Sequence, residues 1–356
     1  MLATLICVAV PVLGPPQDPG PAPAASPIIR TLAGHEGHVA RVAFHPKGEI
    51  LATAGHDGTV RLWDWATFED RVVLRVPSQQ FALAISPDGK LLAAAGDLVV
   101  RVWTIRNLPK KRAENPWKPL AEIRVPGGFG DSGGSIWDLA FSPDSKTLAG
   151  GTMDGKVLLM DPKREGVLAT LEGHTAAADG SNIVEFVDWS PDGRMLVSGG
   201  KTLETLVWSV EGRGARRKDR VLWKLDETQD GPPAHRMCAA WQPDGRGIAI
   251  GGTDGMLQTI AVDGGAFTLE RQDRAHPGAY VHALVFEPNG ERLLSVGNDL
   301  RIWSATSGER ARTIELGGAA HEVAVAPDGR TAIVAEFDGP VRVIDLAAKQ
   351  APATDR

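Results

Sequence analysis

A turn of the Pro-Asp-Gly type returns seven times along this chain of 356 residues, with its proline at 46, 87, 143, 191, 243, 288 and 327. The intervals are 41, 56, 48, 52, 45 and 39 residues, about 47 on average. Self-similarity at that period marks small units that cannot bury their own faces alone and must stack in a row or a ring. Around every turn the grammar is the same. An apolar strand leads in (VARVAF, FALAIS, IWDLAFS, VEFVDWS, MCAAWQ, VHALVFE, HEVAVA), and a second follows (ILATAG, LLAAAG, TLAGGT, MLVSGG, GIAIGG, RLLSVG, TAIVAE). A tight turn, usually holding Asp, opens a third strand such as TVRLWD at 59–64 or VRVIDL at 341–346. A variable fourth strand precedes the next unit. Proline presets φ in the recurring turn and glycine tolerates positive φ there, so the pattern has a mechanical reason.

Seven four-stranded units are too many for a sandwich, and each small sheet has two faces to cover. Radial packing against neighbours covers both, which predicts an all-β, seven-bladed β-propeller of antiparallel blades. The chain begins with IIRTLAGH at 28–35, which matches VLATLEGH at 167–174, a fourth strand plus the lead into the next unit. It reaches only a third strand at 341–346. Residues 28–32 are therefore expected to supply the missing fourth strand of the last blade and close the ring without a free edge.

The units resemble WD repeats over residues 28–346. The first carries the resemblance best, with Gly34-His35, then Asp57, then Trp63-Asp64. The resemblance implies a buried hydrogen-bonded set of His35, Thr53, Asp57 and Trp63 in that blade. Elsewhere the pattern thins: Met160, Ile260 and Ile344 stand where the third, fifth and seventh units would hold tryptophan. The fourth unit keeps Gly173-His174, Ser198 and Trp208 without an Asp in its turn. WD-repeat proteins are rigid interaction platforms, so the resemblance implies a non-catalytic protein that binds protein or peptide partners through its loops and channel mouth. The mapped positions are His56, Phe81, Trp137, Met153, Phe186, Tyr280, His282, His321 and Phe337, with Phe81 and Trp137 at the centre of an exposed patch. Ordinary packing between blades is the competing reading of the same residues.

Other functional classes find little support. No cofactor and no metal ligand set is expected from the spacing of His, Cys and carboxylates, and His35-Glu36-Gly37-His38 is not the helical zinc-protease motif. GGFGDSGGS at 127–135 contains a G-x-G-x-x-G, but a strand follows it where a dinucleotide site needs a helix. Its GDSGG has no double barrel around it. A channel-site enzyme, lactonase-like or quinone-dependent, remains the alternative, followed by a sugar- or cell-wall-binding propeller. No charged residue recurs at an equivalent channel position on this reading. The net charge of −6, without a basic half, argues against nucleic acid. The basic clusters Lys110-Lys111-Arg112 and RGARRKDR at 213–220 read as solvated loops.

MLATLICVAVPVLG opens the chain as an apolar run of signal-peptide length, too short to span a bilayer, with small-residue cleavage sites at 22–26. Missing Lys or Arg ahead of it leaves a misassigned start and an uncleaved tail open. Bulky Ile6 speaks against lipid attachment at Cys7. The expected organisation is a leader at 1–25, a propeller at 26–348 and a disordered tail at 349–356. With the leader removed only Cys238 remains, so no intrachain disulfide can form. Arginine outnumbers lysine 26 to 12, which with the leader points to a bacterial, exported protein, periplasmic or extracellular, and otherwise cytoplasmic. It is expected to be a monomer or one subunit of a hetero-complex, with no stable membrane insertion.

Overall fold

The computed structural model describes residues 26–348 except 97, 106, 127–134, 178, 203, 212–218, 227–233 and 338. The leader with Cys7, nearly all of the glycine-rich loop, most of the second basic cluster and the tail lie outside the described residues. Those that are described contain no helix and fold into seven antiparallel sheets. Blade 1, for example, runs from the inner strand Val39–Phe44 through Ile50–Gly55 and Thr59–Asp64 to the outer strand Glu69–Arg75. The structure is the expected seven-bladed propeller.

Its closure is also the expected one. Ile28–Leu32 is the outer strand of blade 7, where Ile28 pairs with Ile344, Arg30 with Val343, Thr31 with Arg342 and Leu32 with Val341. The cores lie between blades, as radial packing requires. Leu32, Val341 and Val343 of blade 7 pack with Val39, Leu51 and Trp63 of blade 1 in one buried cluster.

The recurring turn has a second role in this ring. Gly48 takes φ +70, and a Cβ built there would lie 3.6 Å from Pro327 of the preceding blade. Gly193 meets Pro143 in the same way at 3.3 Å, so turn stacks on turn between neighbouring blades. In blade 3, Ser145 occupies the glycine place at φ 59, and its Oγ accepts the Asp88 amide of blade 2 at 3.1 Å.

Two features depart from the expectation. Blade 1 has a fifth strand: Ala113–Glu114, from the insertion in blade 2, pairs in parallel with Val72 and Val73. The first basic cluster is correspondingly more than a solvated loop. Arg112 pairs with Asp70 at 3.1 Å and with Glu114 at 3.3 Å, and Arg71 donates to the Lys110 carbonyl at 2.9 Å. These pairs are exposed and contribute little stability, but they position the added strand on the blade edge.

Candidate functional site: the channel mouth and its aromatic rim

The hydrogen-bonded set in blade 1 anchors everything above it. Trp63 Nε1 donates to Thr53 Oγ1 at 2.9 Å, and Thr53 Oγ1 lies 2.7 Å from His35 Nε2. His35 Nδ1 lies 3.0 Å from Asp57 Oδ2. One proton arrangement satisfies all four groups: the threonine hydroxyl donates to Nε2 and the Nδ1–H donates to the carboxylate. Burial alone would raise the Asp57 carboxyl, but the bonds from His35, the Glu36 amide and Thr59 outweigh it and hold it well below the usual range. Gly34 packs tightly beside this set, since a Cβ there would sit 2.8 Å from the Arg61 guanidinium and 3.0 Å from the Trp63 ring.

A second set of the same kind escapes sequence reading. In blade 6, Trp303 Nε1 donates to Ser295 Oγ at 2.9 Å, His276 Nε2 lies 2.8 Å from that oxygen, and His276 Nδ1 is 3.0 Å from Asp299. Ala275 precedes its histidine, so the Gly-His signature is missing; the signal that could have found it is the spacing from His276 to Trp303. Burial would raise Asp299, yet the His276 and Arg301 bonds bring it down to about 2. In blade 4 the acid is Glu204, which accepts the Thr175 amide at 2.9 Å, while His174 and Trp208 share Ser198.

The inner strands build the mouth. In blades 1, 3, 4, 5 and 7 the pairing slips by one residue near the start of the strand, at Ala40, Trp137, Glu185, Met237 and His321. Such a bulge re-aims one side chain and bends the strand. In blades 2 and 6, Phe81 and His282 hold the same place, each donating its amide to the second strand at 2.9 Å. Seven equivalent positions therefore circle the channel, and four of them are aromatic or histidine: Phe81, Trp137, His282 and His321.

These side chains join those of the tight turns in one run of ring contacts. Trp137 stacks on Phe81 at 5.3 Å, Phe81 meets His56 at 5.0 Å, and His56 meets His38 at 4.5 Å. His38 continues to His321 at 4.0 Å, His321 to Phe337 at 4.9 Å, Phe337 to His282 at 4.9 Å, and His282 to Tyr280 at 5.4 Å. The run crosses blades 3, 2, 1, 7 and 6. Imidazole nitrogens also meet directly, His38 Nε2 with His321 Nδ1 at 3.2 Å and His38 Nδ1 with His56 Nε2 at 3.4 Å. Burial pushes His282 down to about 4 and His321 to about 2, the neighbouring His38 adding to the latter. Both are neutral at pH 7, and burial also lowers His56.

Of the mapped positions, Tyr280 (49% exposed) and Phe337 (38%) are open, and Phe81, Trp137, His56, His282 and Met153 are half-buried. Two are corrected. Phe186 is only 4% exposed because Glu185 takes the bulge and turns the phenylalanine into the core between blades 4 and 5, against Gly199. His321 is 8% exposed, a floor of the run rather than an open contact. His38 and Met237 are rim residues the mapping omits.

Below the mouth all seven blades line a channel cavity of about 360 Å³. Charged residues do recur there at one equivalent position, contrary to expectation: Arg41, Asp138 and Glu322 each follow the bulge residue of blades 1, 3 and 7. Arg41 Nε lies 3.5 Å from Asp138 and 3.4 Å from Glu322, and its Nη2 donates to the Trp137 carbonyl at 3.2 Å. Burial drives Glu322 up to about 7 against the pull of Arg41. Asp188 is also raised to about 7 by burial, with the charge of Asp138 adding to it and the Trp241 amide bond opposing. Among the described residues no group of three or more His, Cys, Asp or Glu side chains could hold a metal ion.

The raised Asp188 yields a pH-dependent expectation. The folded carboxyl binds its proton more tightly than the unfolded one. Its charge therefore costs nothing below about pH 4, and the cost grows as pH rises through 7. Asp188→Asn removes that cost while its amide oxygen can still accept from Trp241. The substitution should stabilise the protein by about 1–2 kcal/mol at pH 8, discounted for the solvent in the channel, and by nothing at pH 4. Denaturant midpoints at the two pH values check this; a loss at pH 8 would refute it.

Residues 26–64, 75–104, 123–161 and 166–209, which fall on blades 1 to 4, match the family described as WD domain, G-beta repeat. Among curated proteins the chain is 31% identical over 183 residues to WD repeat-containing protein VIP3 of Arabidopsis thaliana, covering 48% of this chain and 52% of that protein. It is 25% identical over 341 residues to nuclear distribution protein PAC1 of Arthroderma benhamiae, 86% of this chain and 67% of that one. To small ribosomal subunit protein RACK1 of Glycine max it is 34% identical over 130 residues, 35% and 39% of the two chains. The chain thus matches about half the length of the Arabidopsis relative and less of RACK1. Four repeats matched directly, and three more blades built on the same strand order and turn, support a WD-repeat family for this chain.

Proposed function

We propose that this protein is a non-catalytic scaffold that captures a protein or peptide partner on the rim of its channel mouth. One observation carries the reading: the unbroken run of rings from Trp137 to Tyr280 over five blades of one face. Aromatic and imidazole side chains pre-packed against one another lose little entropy on binding, and aromatic residues are what interface hot spots favour. A rim that served solubility alone would carry Lys and Glu instead. The WD-repeat relatives support a protein-binding role, while the partner of this chain belongs to the proposal.

The test is capture of partners from native cells on the immobilised full chain. Phe81→Ala with Trp137→Ala should remove at least nine-tenths of the captured material and shift the unfolding midpoint by less than about 3 °C, since both rings are only half-buried. Undiminished capture, or a large drop in midpoint, would make these residues packing and sink the rim. An exported location is part of the proposal and rests on the apolar run at 1–14. Mass spectrometry of the mature protein tests it, because export by a cleaved leader removes the first residues.

A further inference from the structure

Among the described residues, three polar atoms at the mouth are buried without a hydrogen-bond partner: the Trp137 Nε1–H, His321 Nε2 and Glu185 Oε2. The Glu185 side chain is nine-tenths buried, and its other oxygen reaches only to Lys201 Nζ at 3.8 Å. Asp188, on the same inner strand, lines the same cavity and takes its bonds from backbone amides, with Trp241 at 2.8 Å. Four carboxyls line the cavity, Asp138, Glu185, Asp188 and Glu322, against a single cation, Arg41. The Arg41 guanidinium is already committed between Asp138 and Glu322. On the side of blades 1, 3 and 7 one cation is thus shared by two carboxyls, while on the side of blade 4 Lys201 stands 3.8 Å from Glu185 and Asp188 is held by backbone amides.

The chemistry of that arrangement narrows what can enter. An apolar group would leave Glu185 Oε2 without a donor and Asp188 without a counter-charge. An anion would be repelled. A neutral amide could bond to Glu185 Oε2 but would leave the charge. A group that carries positive charge and several N–H donors on an apolar stem answers both needs, and the stacked Phe81–Trp137 pair offers the stem an apolar, cation-tolerant wall. We propose that the blade 4 side of the channel receives one basic side chain, lysine or arginine, of the bound peptide, its charged head paired with Glu185 and Asp188. This deepens the scaffold reading and rests on it.

Pools of short peptides, random except for a fixed central residue, provide the probe. Pools centred on arginine, lysine, citrulline, norleucine and glutamate are passed over the immobilised full chain and the retained fractions measured. The basic-centred pools should be enriched about tenfold or more over citrulline and norleucine, and the glutamate pool depleted. The preference should vanish in Glu185→Gln with Asp188→Asn, a pair expected to melt no lower than the parent because each change removes a buried charge; either single change serves if the pair fails to fold. Binding of the basic pool near pH 7 should also release protons, since a cation beside Asp188 draws its carboxyl back towards ionisation. Calorimetry in two buffers of different ionisation enthalpy reads that release. Equal retention of all pools, or a basic preference that survives both substitutions, overturns the proposal. Equal retention that is lost in Phe81→Ala with Trp137→Ala would overturn it while leaving the rim intact. Retention of no pool overturns it too, and the rim is then judged by capture of whole partners.

Discussion

Deleting residues 27–33 is expected to lower the melting temperature by roughly 10 °C or more. Those residues hold no active group and only one fully buried side chain, Leu32. Their weight comes from topology. They close the ring by pairing with Val341–Asp345, and the Asp345 amide donates to the Pro27 carbonyl at 2.8 Å. Without them the backbone edge of blade 7 is bare and the fully buried Val343 and Ile344 lose their cover. Leu32 also leaves the cluster that joins blade 7 to blade 1, and Ile28 leaves the one that joins blade 7 to blade 6. A thermal melt of the deletion variant, read by circular dichroism, checks it. A midpoint within a few degrees of the parent would mean that the ring is held shut by blade contacts alone.

The fold was readable because its punctuation is local. A Pro-Asp-Gly turn announces itself in three residues, and its period of about 47 admits few architectures. Closure was readable for the same reason, since 28–35 and 167–174 are near copies. The mouth was readable only in part. Strand alternation tells which residues share a face until a bulge shifts it by one, and five inner strands have a bulge at the position that matters. In blade 3 the aromatic residue, Trp137, is itself the bulge. In blade 4 the bulge is Glu185, and its neighbour Phe186 turns inward. The channel charges hide for another reason. Arg41, Asp138 and Glu322 lie in different blades, 97 and 184 residues apart in sequence, and only the ring brings them together. The set in blade 6 escapes notice because one glycine of its signature is an alanine.

Trp63→Ala should cost about 3–5 kcal/mol, and Trp65→Ala, two residues on, no more than about 1–2. Trp63 is 3% exposed and does two things at once. Its ring fills the interface of blades 1 and 7 beside Leu32, Val341 and Val343, and its Nε1–H satisfies Thr53. Truncation therefore leaves a cavity at the seam. It also strips a donor from the hydroxyl that orients His35, and through His35 the Asp57 carboxylate. Trp65 is half-buried beyond the end of the strand, packed edge-on against Phe44 at 4.8 Å and Phe68 at 4.9 Å. It has no hydrogen-bonded set to support, and solvent can reach the space it vacates. Thr53→Val separates the two roles of Trp63, because it keeps the volume and removes the hydroxyl shared by His35 and Trp63. It should cost about 1–3 kcal/mol, part of the Trp63 loss. Chemical denaturation of the three variants measures all of this. Equal losses at Trp63 and Trp65 would place the third strand of blade 1 in the wrong register, and no loss at Thr53 would reduce the set to packing.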